Sequence, residues 1–189
     1  MAYTTDSSPC IKIASFNLHG LSQGIGMLLE LYASSDVKFC QEHWLSSDQL
    51  VKVNNLSRDF HCISISAMDT MCGCGILRGR PFGGLAVLIR NTLSSDWLCL
   101  VKSERIVAVR VRKCIFINVY FPVYSGSGVS YHTAVTNILS TLDSVILVTV
   151  PWYSSVILTC PLQTDCFVVM RLTSSYNRRT GICVILKVM

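Results

Sequence analysis

The sequence predicts an α/β protein in which two mixed β-sheets pack face to face with helices outside. Three observations predict it. The chain opens on a strand-helix-strand pattern ending near Cys40, continues through apolar runs at 85–89, 106–111 and 114–121, and then shows a second amphipathic stretch over 130–142. Each sheet has an apolar face that must be buried against another layer, so several strands after a β-α-β start lead to stacked sheets with helical covers.

Ile11, Ile13 and Phe16 mark the first strand, and the stretch from Gly20 to Gly26 breaks it with turn chemistry. Ile25, Leu28, Leu29 and Tyr32 recur at i, i+3, i+4 and i+7, the spacing of one helical face. Val37 to Cys40 reads as the second strand, and a strand reached through a helix runs parallel to the first with a right-handed crossover. Asn17 and Glu42 each close an apolar run, so they fall on one carboxyl edge, the rim where open α/β sheets bind ligands. Ser46, Ser47 and Asp48 predict the cap of a short helix over 49–56. Phe60, Cys62 and Ile65 mark another strand, followed by a glycine-rich loop over 73–84. Within 114–121, Ile115, Ile117 and Val119 alternate with Phe116, Asn118 and Tyr120, which puts Tyr120 on the face of Asn118. Val135, Ile138, Leu139 and Leu142 give the second helix its apolar face, with Ser130 as its cap.

A length of 189 residues suits one domain. Hydrophobic residues reach 51% against 14% charged, richer in apolar groups than an ordinary soluble domain, so low solubility is expected. The net charge of +5 is unevenly spread: within residues 78–113, Arg78, Arg80, Arg90, Lys102, Arg105, Arg110, Arg112 and Lys113 stand against only Asp96 and Glu104. Such a stretch suits a phosphate backbone, and equally the solvated faces and ends of strands. There are ten cysteines, but Met1 to Pro9 has neither the basic start nor the apolar core of a secretory signal. Cys40, Cys62, Cys99 and Cys114 sit inside apolar runs as small hydrophobes. The expectation is a reduced intracellular protein, nuclear or cytoplasmic and not secreted. Cys72 and Cys74 lack a second pair or a histidine at zinc spacing.

Four segments then carry a resemblance: Ile13-Ala-Ser-Phe-Asn-Leu-His-Gly20, Val37-Lys-Phe-Cys-Gln-Glu-His-Trp-Leu45, Arg80-Pro-Phe-Gly-Gly-Leu-Ala-Val-Leu-Ile-Arg90 and Phe116-Ile-Asn-Val-Tyr-Phe-Pro122. In this order they resemble the endonuclease/exonuclease/phosphatase superfamily, and within it the endonuclease domain of LINE-type non-LTR retrotransposons. The resemblance spans residues 10–144 and implies a four-layer, deoxyribonuclease-I-like sandwich that cleaves DNA phosphodiesters with Mg²⁺ or Mn²⁺. It implies Glu42 as the metal ligand, Asn17 within the metal and phosphate network, and Tyr120 against the phosphate. Arg80 and Arg90 are implied contacts to the DNA backbone. His19 is either a polar group facing the metal or a plain loop histidine. His43, one residue after Glu42, points to the opposite face if the strand continues, and so falls outside the site.

Two motifs of that family are missing. After the second helix its members carry a strand ending in Gly-Asp-x-Asn, and later Ser-Asp-His; here residues 144–160 read Ser-Val-Ile-Leu-Val-Thr-Val-Pro-Trp-Tyr-Ser-Ser-Val-Ile-Leu-Thr-Cys, and the histidines are His19, His43, His61 and His132. The expected organisation is a disordered stretch 1–9, a partial domain 10–144 incomplete at its C-terminus, and an apolar tail 145–189. The missing groups would activate the attacking water and meet the developing charge. The expectation is therefore a truncated, retrotransposon-derived endonuclease domain that no longer cleaves, with a non-catalytic module binding nucleic acid or protein as the alternative. Ser144 to Thr164 carries no charge and is long enough for a membrane span of about 20 residues. Pro151, Pro161 and the many Ser/Thr residues oppose a spanning helix, and β-branched alternation favours strands over both that and a disordered tail.

Overall fold

The first strand, β1 (Ile13–Asn17), passes through α1 (Leu21–Ser34) into β2 (Val37–Gln41), and the two strands pair in parallel. The computed structural model describes residues 11–68, 82–112, 114–122, 129–149, 155–162, 166–171 and 185–187. The stretch 1–9, the Cys72 and Cys74 pair, Arg80 and most of the glycine-rich loop lie outside these residues. A short 3-10 turn at Ser47–Gln49 and α2 (Val51–Asn54) lead to β3 (Phe60–Ile65), and β4 (Leu85–Arg90) inserts between β2 and β3. The first sheet thus runs β1-β2-β4-β3, antiparallel beyond β2.

The second sheet holds β5 (Trp97–Ser103), β6 (Ile106–Val111), β7 (Cys114–Val119), β8 (Ser155–Leu162), β9 (Cys166–Arg171) and β10 (Ile185–Lys187), in the spatial order β10-β9-β8-β7-β6-β5. It is antiparallel except where α3 (Val129–Thr149) carries the chain from β7 to a parallel β8. Both sheets are therefore mixed, as the sequence predicts.

Alternation along each strand makes the layers. Val37, Phe39, Leu85, Val87 and Ile89 face Val107, Val109, Val111 and Phe116 across the gap between sheets. Each such fully buried side chain contributes about 1.5–3 kcal/mol relative to exposure. On the outer face of the first sheet, Cys40, Ala86 and Leu88 pack under Leu21 and Leu28 of α1 and Val53 of α2. On the outer face of the second, Ala108, Ile115 and Ile117 pack under Ile138, Leu142 and Val145 of α3. The order is helix, sheet, sheet, helix.

Several local expectations need correction. α1 starts at Leu21, so Gly24 and Gly26 are helical instead of belonging to the turn. Gly24 lets the helix lie on the backbone of Leu18, where a Cβ would come within 2.7 Å of the Leu18 carbonyl oxygen. The buried stripe of α1 is Leu21, Gly24 and Leu28, while Leu29 is exposed. α3 likewise runs on to Thr149, so the strand expected from Ser144 begins at Ser155, and Leu139 is exposed. β5, bulged between Cys99 and Val101, has no counterpart in the sequence reading. Among the described residues no helix is long and apolar enough to cross a membrane.

Candidate metal and phosphate site

The β1–β2 ladder ends with Asn17 opposite Gln41, and its hydrogen bonding continues into the following loops. Leu18 N–H donates to Gln41 O, Gly20 N–H to Glu42 O and Leu21 N–H to His43 O, at 2.8, 2.8 and 3.0 Å. Glu42 leaves the extended conformation with φ 55°, as does Trp44. Positive φ is uncommon for residues with a Cβ and costs of order 1–3 kcal/mol unless the surroundings enforce it. They do so here: Glu42 N–H donates to Gly84 O at 2.8 Å and Trp44 N–H to Gly83 O at 2.9 Å. Gly83 and Gly84, at φ 61° and 90°, supply that returning strand.

This turn sends Glu42 to the rim. Its side chain is 18% exposed, enough to reach solvent from a largely buried position. Tyr120, just past β7 on the other sheet, donates its hydroxyl to Glu42 Oε1 at 2.7 Å, a charge-assisted hydrogen bond bridging the two sheets. His19 Nδ1 lies 3.6 Å from Glu42 Oε2, an ion pair when the imidazole is protonated. Asn17 joins through the same residue: its amide oxygen accepts the His19 N–H at 3.0 Å, an Asx turn. Glu42, Tyr120 and His19 therefore form one side-chain cluster, and Asn17 holds the backbone of the loop that carries His19.

β2 ends at Gln41 and Glu42 leaves the extended conformation, so strand alternation does not set the direction of His43; its side chain is fully buried and its part is structural. Leu45 N–H donates to its Nδ1 at 3.0 Å, so Nε2 carries the proton and donates to Ile65 O at 3.0 Å. Burial pushes its pKa down, against the weaker pull of its backbone hydrogen bonds, and keeps the ring neutral. The ring fills the space beside Gly84, where a Cβ would stand 2.2 Å from His43 Cε1. Beneath the rim, Gln41 Nε2 donates to Asn118 Oδ1 at 2.6 Å, and Asn118 Nδ2 donates to Cys40 O and Ala86 O at 3.2 and 3.3 Å. This buried amide clasp fixes the register between the sheets, and hence the meeting of Tyr120 with Glu42.

The expectation for Arg90 needs correction. Arg90 ends β4 beside Asp36, at the opposite end of β2 from Glu42. Its guanidinium donates to Asp36 Oδ1 at 3.1 Å, Tyr32 O at 2.6 Å and Ser35 O at 2.9 Å, and packs over Phe60. It pins α1 to the sheet and does not face the rim. Arg105, passed over within the basic stretch, stands instead beside Tyr120: Tyr120 N–H donates to Arg105 O at 2.9 Å. A cavity of about 290 Å³ opens next to the cluster, between His19, Gln23, Trp44, Gln49 and Lys52.

No family profile and no curated protein matches the sequence. Solved structures do match. A 3′ phosphatase, NExo, from Neisseria, bound to a product DNA hairpin, superposes with a TM-score of 0.59 at 17% identity, over 83% of this chain and 61% of that one. The 3′-5′ exonuclease NExo from Neisseria meningitidis gives 0.58 at 16%, over 79% and 57%. An AP endonuclease from Archaeoglobus fulgidus gives 0.58 at 16%, over 80% and 56%. The fold is deoxyribonuclease-I-like. The chain spans about three-fifths of the length of these structures.

Within this deoxyribonuclease-I-like fold, the donors at the rim suit a hard cation. Among the described residues the Glu42 carboxylate has only the His19 ring, 3.6 Å away, at its Oε2, and Asn17 supplies an amide oxygen with a second lone pair. No group of three His, Cys, Asp or Glu side chains gathers among the described residues. One carboxylate with water and phosphate oxygens is a common Mg²⁺ environment, so the residues present fit that ion as a sparse site.

Proposed function

We propose that this chain is a DNA phosphodiesterase-type domain of the retrotransposon endonuclease kind, in which Glu42 and Asn17 hold Mg²⁺ or Mn²⁺ against a backbone phosphate and cleavage is slow or lost. The observation that carries the reading is the Tyr120 hydroxyl on Glu42 Oε1, which joins a strand end of each sheet into one polar cluster at the rim. The bound ion would supply charge neutralisation at the phosphate. Tyr120 orients the carboxylate through its hydroxyl proton, while the Asx turn at Asn17 and the ladder to Gly20 hold the loop against Glu42.

The weak cleavage follows from proton chemistry. Hydrolysis needs a base for the attacking water and an acid or cation for the leaving oxygen. Among the described residues His19 is the imidazole at the cluster, and it is 62% exposed and held by a single contact at 3.6 Å. Losing one positioned general acid or base typically costs 10²–10⁴-fold, roughly, in rate. Plasmid nicking and DNA binding in Mg²⁺, comparing wild type with Glu42→Gln, test the proposal. DNA binding that needs Mg²⁺ and Glu42, with little nicking, is expected. Binding indifferent to both would refute the site, and rapid Glu42-dependent nicking would refute the loss of cleavage.

A further inference from the structure

We propose that the His19 imidazole is a ligand of the rim ion and tilts the site from Mg²⁺ towards imidazole-accepting ions of the Zn²⁺ type. The inference rests on the reading of Glu42 as the metal ligand and adds to it the nitrogen beside its second oxygen. Tyr120 holds Glu42 Oε1 at 2.7 Å, and Oε2 faces His19 Nδ1 at 3.6 Å. Two ligand atoms bound at about 2.1 Å to one tetrahedral ion stand about 3.4 Å apart. The observed pair lies within a few tenths of an ångström of that bite, so one ion can take both atoms with a small side-chain adjustment.

The backbone builds this pairing. Leu18 N–H donates to Gln41 O and Gly20 N–H to Glu42 O, so the loop is tied to the exit of β2 on either side of His19. His19 has φ 47°, and the Asn17 side chain holds that left-handed turn by accepting the His19 N–H. Residues with a Cβ persist in this conformation where the surroundings enforce it, and such residues cluster at functional sites. The other described histidines are used differently. His43 has both ring nitrogens on backbone groups, His61 stacks on Trp97 at 4.4 Å, and His132 packs edge-on against Tyr131. Among the described residues His19 alone sets a ring nitrogen against a carboxylate.

Donor chemistry then decides the ion. Mg²⁺ takes oxygen ligands and keeps several waters, whereas imidazole suits Zn²⁺, Fe²⁺ and Ni²⁺. With Nδ1 on the ion, Nε2 carries the proton, and a ring 62% exposed presents it to water. No third His, Cys, Asp or Glu joins the pair among the described residues, so the remaining positions fall to water or phosphate oxygens.

The test titrates the full chain with Co²⁺, a spectroscopic stand-in for Zn²⁺, and separately with Mg²⁺, in wild type, His19→Asn and Glu42→Gln. Visible absorption and proton NMR follow Co²⁺, and calorimetry follows Mg²⁺. Asparagine tolerates the left-handed backbone and keeps the N–H for Asn17, and circular dichroism checks that the variant is folded. Wild type with Co²⁺ is expected to show a hyperfine-shifted, exchangeable imidazole N–H that His19→Asn lacks. His19→Asn is expected to weaken Co²⁺ about tenfold or more and to change Mg²⁺ less than about twofold. Bound Co²⁺ without the shifted imidazole signal in wild type, an unchanged Co²⁺ affinity in His19→Asn, or an equal loss of both ions overturns the proposal. Glu42→Gln separates the two readings: Co²⁺ binding that needs Glu42 but not His19 refutes this inference alone, whereas binding indifferent to Glu42 refutes the site on which it rests.

Discussion

Replacing Lys38 by methionine tests how α1 is held over the first sheet. Lys38 is the second residue of β2, 1% exposed, with its ammonium donating to Ser35 O at 2.8 Å and standing 3.4 Å from the centre of the Phe60 ring. Burial, reinforced by the nearby Arg90 charge, lowers its pKa from 10.5 to about 8. Below pH 8 the lysine is protonated in both folded and unfolded chains, and the folded state carries the full cost of the buried charge. Between pH 8 and 10.5 the unfolded chain binds more protons than the folded one, so this group makes stability rise with pH. The full depression corresponds to about 3 kcal/mol.

Other buried groups act in the opposite sense. Burial pushes the pKa of Tyr32 and Cys40 up, and that of Cys62 up to about 12, so the unfolded chain loses these protons first and stability falls above about pH 9. The difference between variant and wild type removes them. Lys38→Met keeps the volume and forgoes the hydrogen bond to Ser35, worth about 1 kcal/mol. Urea unfolding under reducing conditions should therefore find the variant more stable by about 2 kcal/mol at pH 7. That advantage should shrink towards zero or reverse by pH 10. A stability difference that stays constant from pH 7 to 10 would refute the reasoning.

Further outcomes are expected. Tyr120→Phe removes the hydroxyl from Glu42 Oε1 and should lower stability by about 1 kcal/mol in thermal unfolding, while weakening Mn²⁺ binding several-fold. Gly84→Ala should cost about 3 kcal/mol or more, because its φ is 90° and the new methyl meets the buried His43 ring. Gly26→Ala, in open space on α1, should instead stabilise by about 0.5–1 kcal/mol, and the same denaturation assay reads both. Gln41→Leu and Asn118→Leu should each cost about 1–3 kcal/mol by stranding a buried amide. The double variant should cost less than their sum, which a double-mutant cycle measures.

The parts of the fold legible in the sequence are those set by local periodicity. The β-α-β opening needs only the alternation to Phe16, the helical spacing of Leu28 and Tyr32, and the run from Val37, so the common edge of Asn17 and Glu42 follows without distant contacts. Tyr120 was reachable because alternation from Phe116 puts it on the inward face. The insertion of β4 between β2 and β3 was not legible, since strand order depends on pairing across a loop of unspecified path. Neither was the positive φ of Glu42, which two carbonyls from Gly83 and Gly84 enforce. β5 escaped because its bulge interrupts the alternation. Arg90 and Arg105 look alike as residues in a basic stretch. What separates them is that Arg90 closes β4 against Asp36 while Arg105 turns beside Tyr120, a difference of tertiary neighbours.

The most direct test of the metal site is Mn²⁺ titration followed by electron paramagnetic resonance, with wild type and Glu42→Gln compared at equal folded concentration. The account predicts one Mn²⁺ site in the wild type that Mg²⁺ displaces and that Glu42→Gln abolishes. Undiminished Mn²⁺ binding by Glu42→Gln, or none by the folded wild type, would contradict it.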